Sequence, residues 1–178
     1  MRATPRALSL GSERFVFIWF AVVSVVLVAF VFRSPAIDYR TVILGSVLPV
    51  LEAVAGGPRV LHSLVGAVAL LGIVMVATVG SRLVRRRLLG IPIGVMCHLV
   101  LDGSFTQTEV FWWPVRGLEF ASGQIPELEH LGLALILEVV GVAVGVWAWN
   151  LFGLHDRGAR DRFWSDGRLR LPDGPDPR

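Results

Sequence analysis

The 178-residue chain has no lysine, a single cysteine and few charged residues, only 17% of the total. Each shortage excludes something. One cysteine, Cys97, rules out an intramolecular disulfide and a multi-cysteine zinc site. Without lysine, arginine carries all the side-chain positive charge behind the net +3. That bias reads first as genome composition. A pI near 10.3 would suggest nucleic acid in a soluble protein. Here the arginines flank apolar runs, so membrane topology accounts for them and no nucleic-acid partner is expected. No Gly-x-Ser-x-Gly elbow, Walker loop or internal repeat occurs, and Ser63, Ser104 and Thr106 form no convincing nucleophile set.

What the chain does have is apolar length. Hydrophobic residues make up 54% and mean hydropathy is +0.66. A soluble domain carries about a quarter charged residues. The pattern predicts an all-α, polytopic transmembrane helix bundle of four full spans plus one short kinked or re-entrant helix. Residues 1–14 form a basic N-terminus, 15–154 the transmembrane domain and 155–178 a disordered tail. Helices are expected near 15–32, 41–55, 60–80, 88–102 and 130–152. The run from Phe15 to Phe32 spans roughly 27 Å and is read as an uncleaved anchor, being too long for a signal peptide. Pro49, Glu52 and the Gly56-Gly57-Pro58 stop mark the second segment as the re-entrant one.

The positive-inside rule orients these segments. If 41–58 dips in and returns, the N-terminus, the Arg82–Arg87 cluster and the Arg-rich tail all lie on the cytoplasmic side. Both termini are then cytoplasmic. His62, His98, Asp102, His130 and Glu52 gather at the outer face.

His98 and Asp102 share a helix face at i, i+4 and could ligate one divalent cation. His62 is a third candidate ligand and Glu52 a fourth. Two or three His/carboxylate ligands with a free position suit catalytic zinc. The bland alternatives are a helix-end hydrogen bond for His98 and Asp102 and a polar helix start for His62. Burying such groups near lipid is costly, which favours a functional site for the set. Glu138, below His130, is either functional, as a proton relay or a second carboxylate for the site, or an interhelical hydrogen-bonding group. Glu127 and His130 read as a helix N-terminal pair. Arg33, Arg40, Arg59 and Arg116 read as interfacial snorkelling. Gly141 and Gly145 are spaced for close helix packing.

The order of these features resembles a known family. Leu48-Pro49-Val50-Leu51-Glu52, then Gly57-Pro58-Arg59-Val60-Leu61-His62-Ser63, then His98-x-x-x-Asp102 and Trp113-Pro114 are similar to the motifs of the membrane-bound metal-dependent hydrolases. These are also called LexA-binding, inner-membrane-associated hydrolases and are distantly similar to zinc-dependent phospholipase C. The resemblance covers roughly residues 38–117. Val50 stands where the family has its first Asp, and Gly57 where it has its first His. The resemblance therefore implies one metal, not two.

Together these readings predict a multi-pass protein of the bacterial inner (plasma) membrane. It would be a metal-dependent hydrolase acting on a lipid or amphiphilic (phospho)ester, with membrane lipid as its partner. A divalent ion, zinc by preference, is held by His62, His98 and Asp102, with Glu52 completing the shell or acting as general base. The alternatives are a catalytically degenerate scaffold or partner-binding subunit, and a small transporter component using Glu138 and His130.

Overall fold

The computed structural model describes residues 16–34, 36–56, 60–106, 108–115, 117 and 131–171. Among these the chain is helical, with no strand. The helices are α1 (Phe17–Phe32), α2 (Tyr39–Gly56), α3 (Leu64–Ala77), α4 (Arg82–Leu88), α5 (Gly90–Leu101), α6 (Thr108–Phe111), α7 (Leu131–Leu151) and α8 (Arg157–Asp166). Short 3₁₀ turns cover Val60–His62 and Ser104–Thr106. The expectations for residues 1–14 and for Arg59, Arg116, Glu127 and His130 lie outside the described residues.

Side-chain contacts fix the direction of each helix. With the start of α1 called the upper end, α1 runs down. The top of α2 supplies Val50 to a cluster with Val16 and Phe20, while its base supplies Tyr39 and Val42 to one with Val25, Val28 and Ala29. So α2 runs up. Ala67 near the start of α3 packs with Leu99 near the end of α5, so these two are antiparallel. α5 runs up beside α2, with Gly90 at Thr41 and Gly94 at Val42. α7 runs down, parallel to α1: Gly141 meets Trp19, Gly145 meets Val22, and Trp147 stacks on Phe30. Five passages leave the chain at the lower end.

Glycine decides two of these contacts. A Cβ on Gly45 would collide with the Ile91 carbonyl oxygen, and one on Gly94 with the Val42 carbonyl oxygen. Only hydrogen at both positions lets α2 and α5 touch backbone to backbone. The Gly141–Gly145 face packs against α1 as its spacing suggests. This approach brings Glu138 to the top of α1, whose own first turn has no acidic residue and no capping side chain. The Glu138 carboxylate accepts the Ile18 and Trp19 N–H groups at 3.1 Å each. Of the two readings of Glu138, the interhelical hydrogen bond is the one found; it satisfies orphan helix donors from a different helix.

Three expectations need correcting. The second segment is not broken at Pro49: α2 is a continuous 18-residue helix that passes alongside α1 and α5. Four full spans are not found. Among the described residues one helix, Gly132–Leu151, is long and apolar enough to cross a membrane, with mean hydropathy 2.0. Apolar α1 and α3 have 16 and 14 residues, about 24 and 21 Å, short of a ~30 Å hydrocarbon core. The C-terminal region is not a disordered tail over its described part. Asp156 caps α8 by accepting the Ala159 N–H, and Leu169 and Leu171 beyond α8 are buried against Tyr39 and Phe152. The Gly167 carbonyl accepts the Tyr39 N–H at 2.8 Å, and Arg40 links Asp38 to the Trp164 carbonyl.

Much of the outer surface is apolar. Ile136, Val139 and Val146 on α7 are exposed, as are Ile73 and Val76 on α3. An exposed apolar belt of this kind marks a lipid or protein contact.

Candidate metal centre

The upper end gathers groups from four segments. Ser63 caps α3: its hydroxyl accepts the Gly66 N–H at 2.9 Å and donates to the Val60 carbonyl at 2.8 Å. That cap sets the 3₁₀ turn before it, whose last residue is His62. α5 delivers His98 one turn below its end and Asp102 at its C-cap. The two imidazoles are 2% and 1% exposed. Their rings lie 5.4 Å apart, edge to face, and Phe20 of α1 covers His98 with centroids at 4.1 Å.

One ligand atom each from His62, His98 and Asp102 lies within 4.8 Å of the others. Two atoms bound to the same tetrahedral zinc at about 2.0–2.2 Å lie about 3.3–3.6 Å apart. The trio therefore reaches ligand spacing with side-chain movements of about an ångström.

Hydrogen bonding decides which ring nitrogens are available. His98 Nδ1 lies 2.8 Å from the Ser46 carbonyl oxygen. A carbonyl only accepts, so Nδ1 carries the proton and Nε2 keeps its lone pair. Pro49 lacks the N–H that would bond the Gly45 carbonyl, so this turn of α2 has one helical hydrogen bond fewer. His62 Nδ1 lies 3.2 Å from Glu52 Oε2, and the same carboxylate accepts the Leu61 N–H at 3.2 and 3.0 Å. Ser104 donates to Asp102 Oδ2 at 2.6 Å. Each of the three donors thus has a polar group behind it, the supporting shell that orients metal-binding side chains.

No protein-family model, curated protein or solved structure matches the chain. The site stands on its own geometry.

Of the four expected ligands, three converge and Glu52 does not. The 3₁₀ turn Val60–His62 lies beside the end of α2, so the Glu52 carboxylate meets the Nδ1 side of His62 and the Leu61 N–H. Its carboxylate stands behind His62, beside the group that the other three form. Sequence reasoning did not find the Ser46 carbonyl, because backbone groups leave no residue signature. It weighed Ser104 only as a nucleophile, although its place two residues after Asp102 suits a local hydrogen bond.

The remaining walls of the chamber are apolar: Val50, Ala53, Leu101, Ala134 and Leu137 among them. Its free volume is about 30 Å³, enough to admit a water. The donor set of two neutral-imidazole nitrogens and one carboxylate fits zinc or a similar divalent cation, leaving a coordination position for another ligand.

Proposed function

We propose that the chain is a membrane-embedded, metal-dependent hydrolase whose site lies at the outer end of the bundle. His62 and His98, through Nε2, and Asp102 would hold one divalent cation, zinc by preference. A cation there would polarise an ester or phosphoester oxygen and make water acidic enough to attack near neutral pH. Glu52, the Ser46 carbonyl and Ser104 would fix the three donors. The observation that carries the reading is the orientation of both imidazoles by their Nδ1 atoms, which leaves two lone pairs beside a carboxylate. The resemblance of residues 38–117 to the inner-membrane hydrolases supports a lipid or amphiphilic substrate.

The exposed apolar belt and the Gly132–Leu151 helix support placement in the bacterial plasma membrane. Arg82, Arg85, Arg86 and Arg87, and the α8 arginines Arg157, Arg160 and Arg162, all lie at the lower end. By the positive-inside rule that end is cytoplasmic, and the metal centre faces outward. The start of α1 is then also outside. This reading takes α2 as a full passage and so departs from the expectation that both termini are cytoplasmic.

A second reading keeps the metal and removes the turnover: a degenerate member in which the ion braces helices for a scaffold role. The small chamber favours it, as do Val50 and Gly57 in place of the family's Asp and His. Full-length protein reconstituted in vesicles, offered carboxylester and phosphodiester lipids, separates the two. Hydrolysis that is lost on chelation, restored by zinc and absent in Asp102→Asn supports the enzyme. Metal retained without turnover on any substrate leaves the scaffold.

A further inference from the structure

The lower end holds a second polar pocket, unrelated to the metal centre. Arg86 and Arg87 on α4 and Arg168 just after α8 line a cavity of about 80 Å³, with Asp38 and Asp166. Two distant stretches of sequence build it, and both are anchored. The Thr41 hydroxyl donates to the Arg87 carbonyl at 2.7 Å, holding the end of α4. Arg168 sits between Gly167, whose carbonyl accepts the Tyr39 N–H, and Leu169, which is buried.

The charges in this pocket are unbalanced. Asp38 is already taken: Arg40 Nε and Nη2 bond its two oxygens at 3.0 and 2.8 Å. Asp166 also adds to the field on Arg40. Among the described residues, no hydrogen-bond or ion-pair partner is found for the guanidinium groups of Arg86, Arg87 or Arg168. Three unpaired guanidiniums converging on one cavity match the oxygens of a phosphate group, which arginine binds in a planar, bidentate way.

Apolar surface beside the pocket selects among phosphate sources. Leu83, a pocket-lining residue, is 76% exposed, and Trp164 is exposed two residues before Asp166. At the same end begins an apolar groove of about 300 Å³ with α5 as its floor (Pro92, Ile93, Met96) and Phe32 and Leu71 as its walls. A basic pocket beside exposed apolar surface suits an amphiphile better than a soluble anion.

We infer that Arg86, Arg87 and Arg168 form a binding site for the phosphate headgroup of an anionic phospholipid in the cytoplasmic leaflet. This site is independent of the metal centre and rests only on the membrane placement.

The test uses the full chain purified in neutral detergent, with retained lipid read by native mass spectrometry. Phosphatidylglycerol, phosphatidylcholine and inorganic phosphate are the probes. Wild type is expected to retain phosphatidylglycerol in preference to phosphatidylcholine. Arg86→Gln/Arg87→Gln/Arg168→Gln is expected to lower phosphatidylglycerol affinity by about tenfold or more, and Arg82→Gln, outside the pocket, to leave it unchanged. Equal retention by wild type and triple variant overturns the site. Inorganic phosphate that displaces phosphatidylglycerol at equal concentration overturns the lipid assignment. Should the triple variant not fold, Arg168→Gln alone is compared with wild type: weaker retention supports the site and equal retention overturns it. A chain extracted from membranes by carbonate overturns the membrane placement itself, whereas a carbonate-resistant chain without lipid preference overturns the site alone.

Discussion

His98 donates its Nδ1–H to the carbonyl oxygen of Ser46 across 2.8 Å, and this single bond ties the candidate metal centre to the helix packing. It exists because Gly45 and Gly94 let α2 and α5 approach backbone to backbone. The imidazole is held in one tautomer by a neighbouring helix, with no second side chain involved.

The close approach should be intolerant of a methyl group. Gly94→Ala places a Cβ against the Val42 carbonyl oxygen, with the Ser46 N atom 2.7 Å from it. The expected cost is about 1–3 kcal/mol from overpacking. Separating α2 from α5 would also break the His98–Ser46 bond, so metal affinity should fall together with unfolding stability. Gly72→Ala on α3, where a Cβ meets nothing within 4 Å, is the control that should change neither.

Glu52 should behave as a positioning residue. Glu52→Gln keeps a side-chain oxygen near His62 but removes the charge. Metal affinity is expected to drop by about 10–100-fold, as for other supporting residues, while stoichiometry at saturating metal is kept. Loss of the site even at saturation would instead make Glu52 a direct ligand.

Glu138 should matter for stability and not for metal. Glu138→Ala leaves the Ile18 and Trp19 N–H groups without their carboxylate partner. A loss of about 1–3 kcal/mol is expected, read by denaturant titration in detergent. Metal content of the folded fraction should match wild type. A transport or proton-relay role would show instead as a Glu138-dependent ion flux in vesicles.

The proposed orientation predicts sidedness. In a Cys97→Ala background, Thr106→Cys at the upper end should react with a membrane-impermeant maleimide in intact cells. Ser81→Cys, beside α4, should react only after permeabilisation. Both residues are exposed, so accessibility within the fold does not confound the result. Labelling of both, or the reverse pattern, would contradict the proposed orientation.

Much of the helix layout was legible because apolar runs bounded by Gly, Pro and Arg leave little choice of element. The ends of α1, α2, α5 and α7 fall within two residues of the expected ones. The convergence of His62, His98 and Asp102 was legible too, since all three sit at helix ends on one side. The path of α2 was not. Pro49 and Glu52 look like reasons to break a helix. In the fold Pro49 is buried beside the α5 contact, and Glu52 finds its partners at the turn that follows. Reading α2 as broken hid its continuous packing against α5. The C-terminal segment misled for a different reason: its Arg, Asp and Gly content resembles a solvated tail. Two leucines, Leu169 and Leu171, are enough to pin it, together with the Asp38–Arg40 pair.

A metal-dependent site here requires that His62, His98 and Asp102 share an ion. Elemental analysis of the purified full chain after zinc loading and desalting reads this directly, for wild type and for His62→Ala/His98→Ala. About one zinc per chain in wild type and none in the double variant is the predicted result. Equal zinc in the two proteins, or none in wild type, would contradict it.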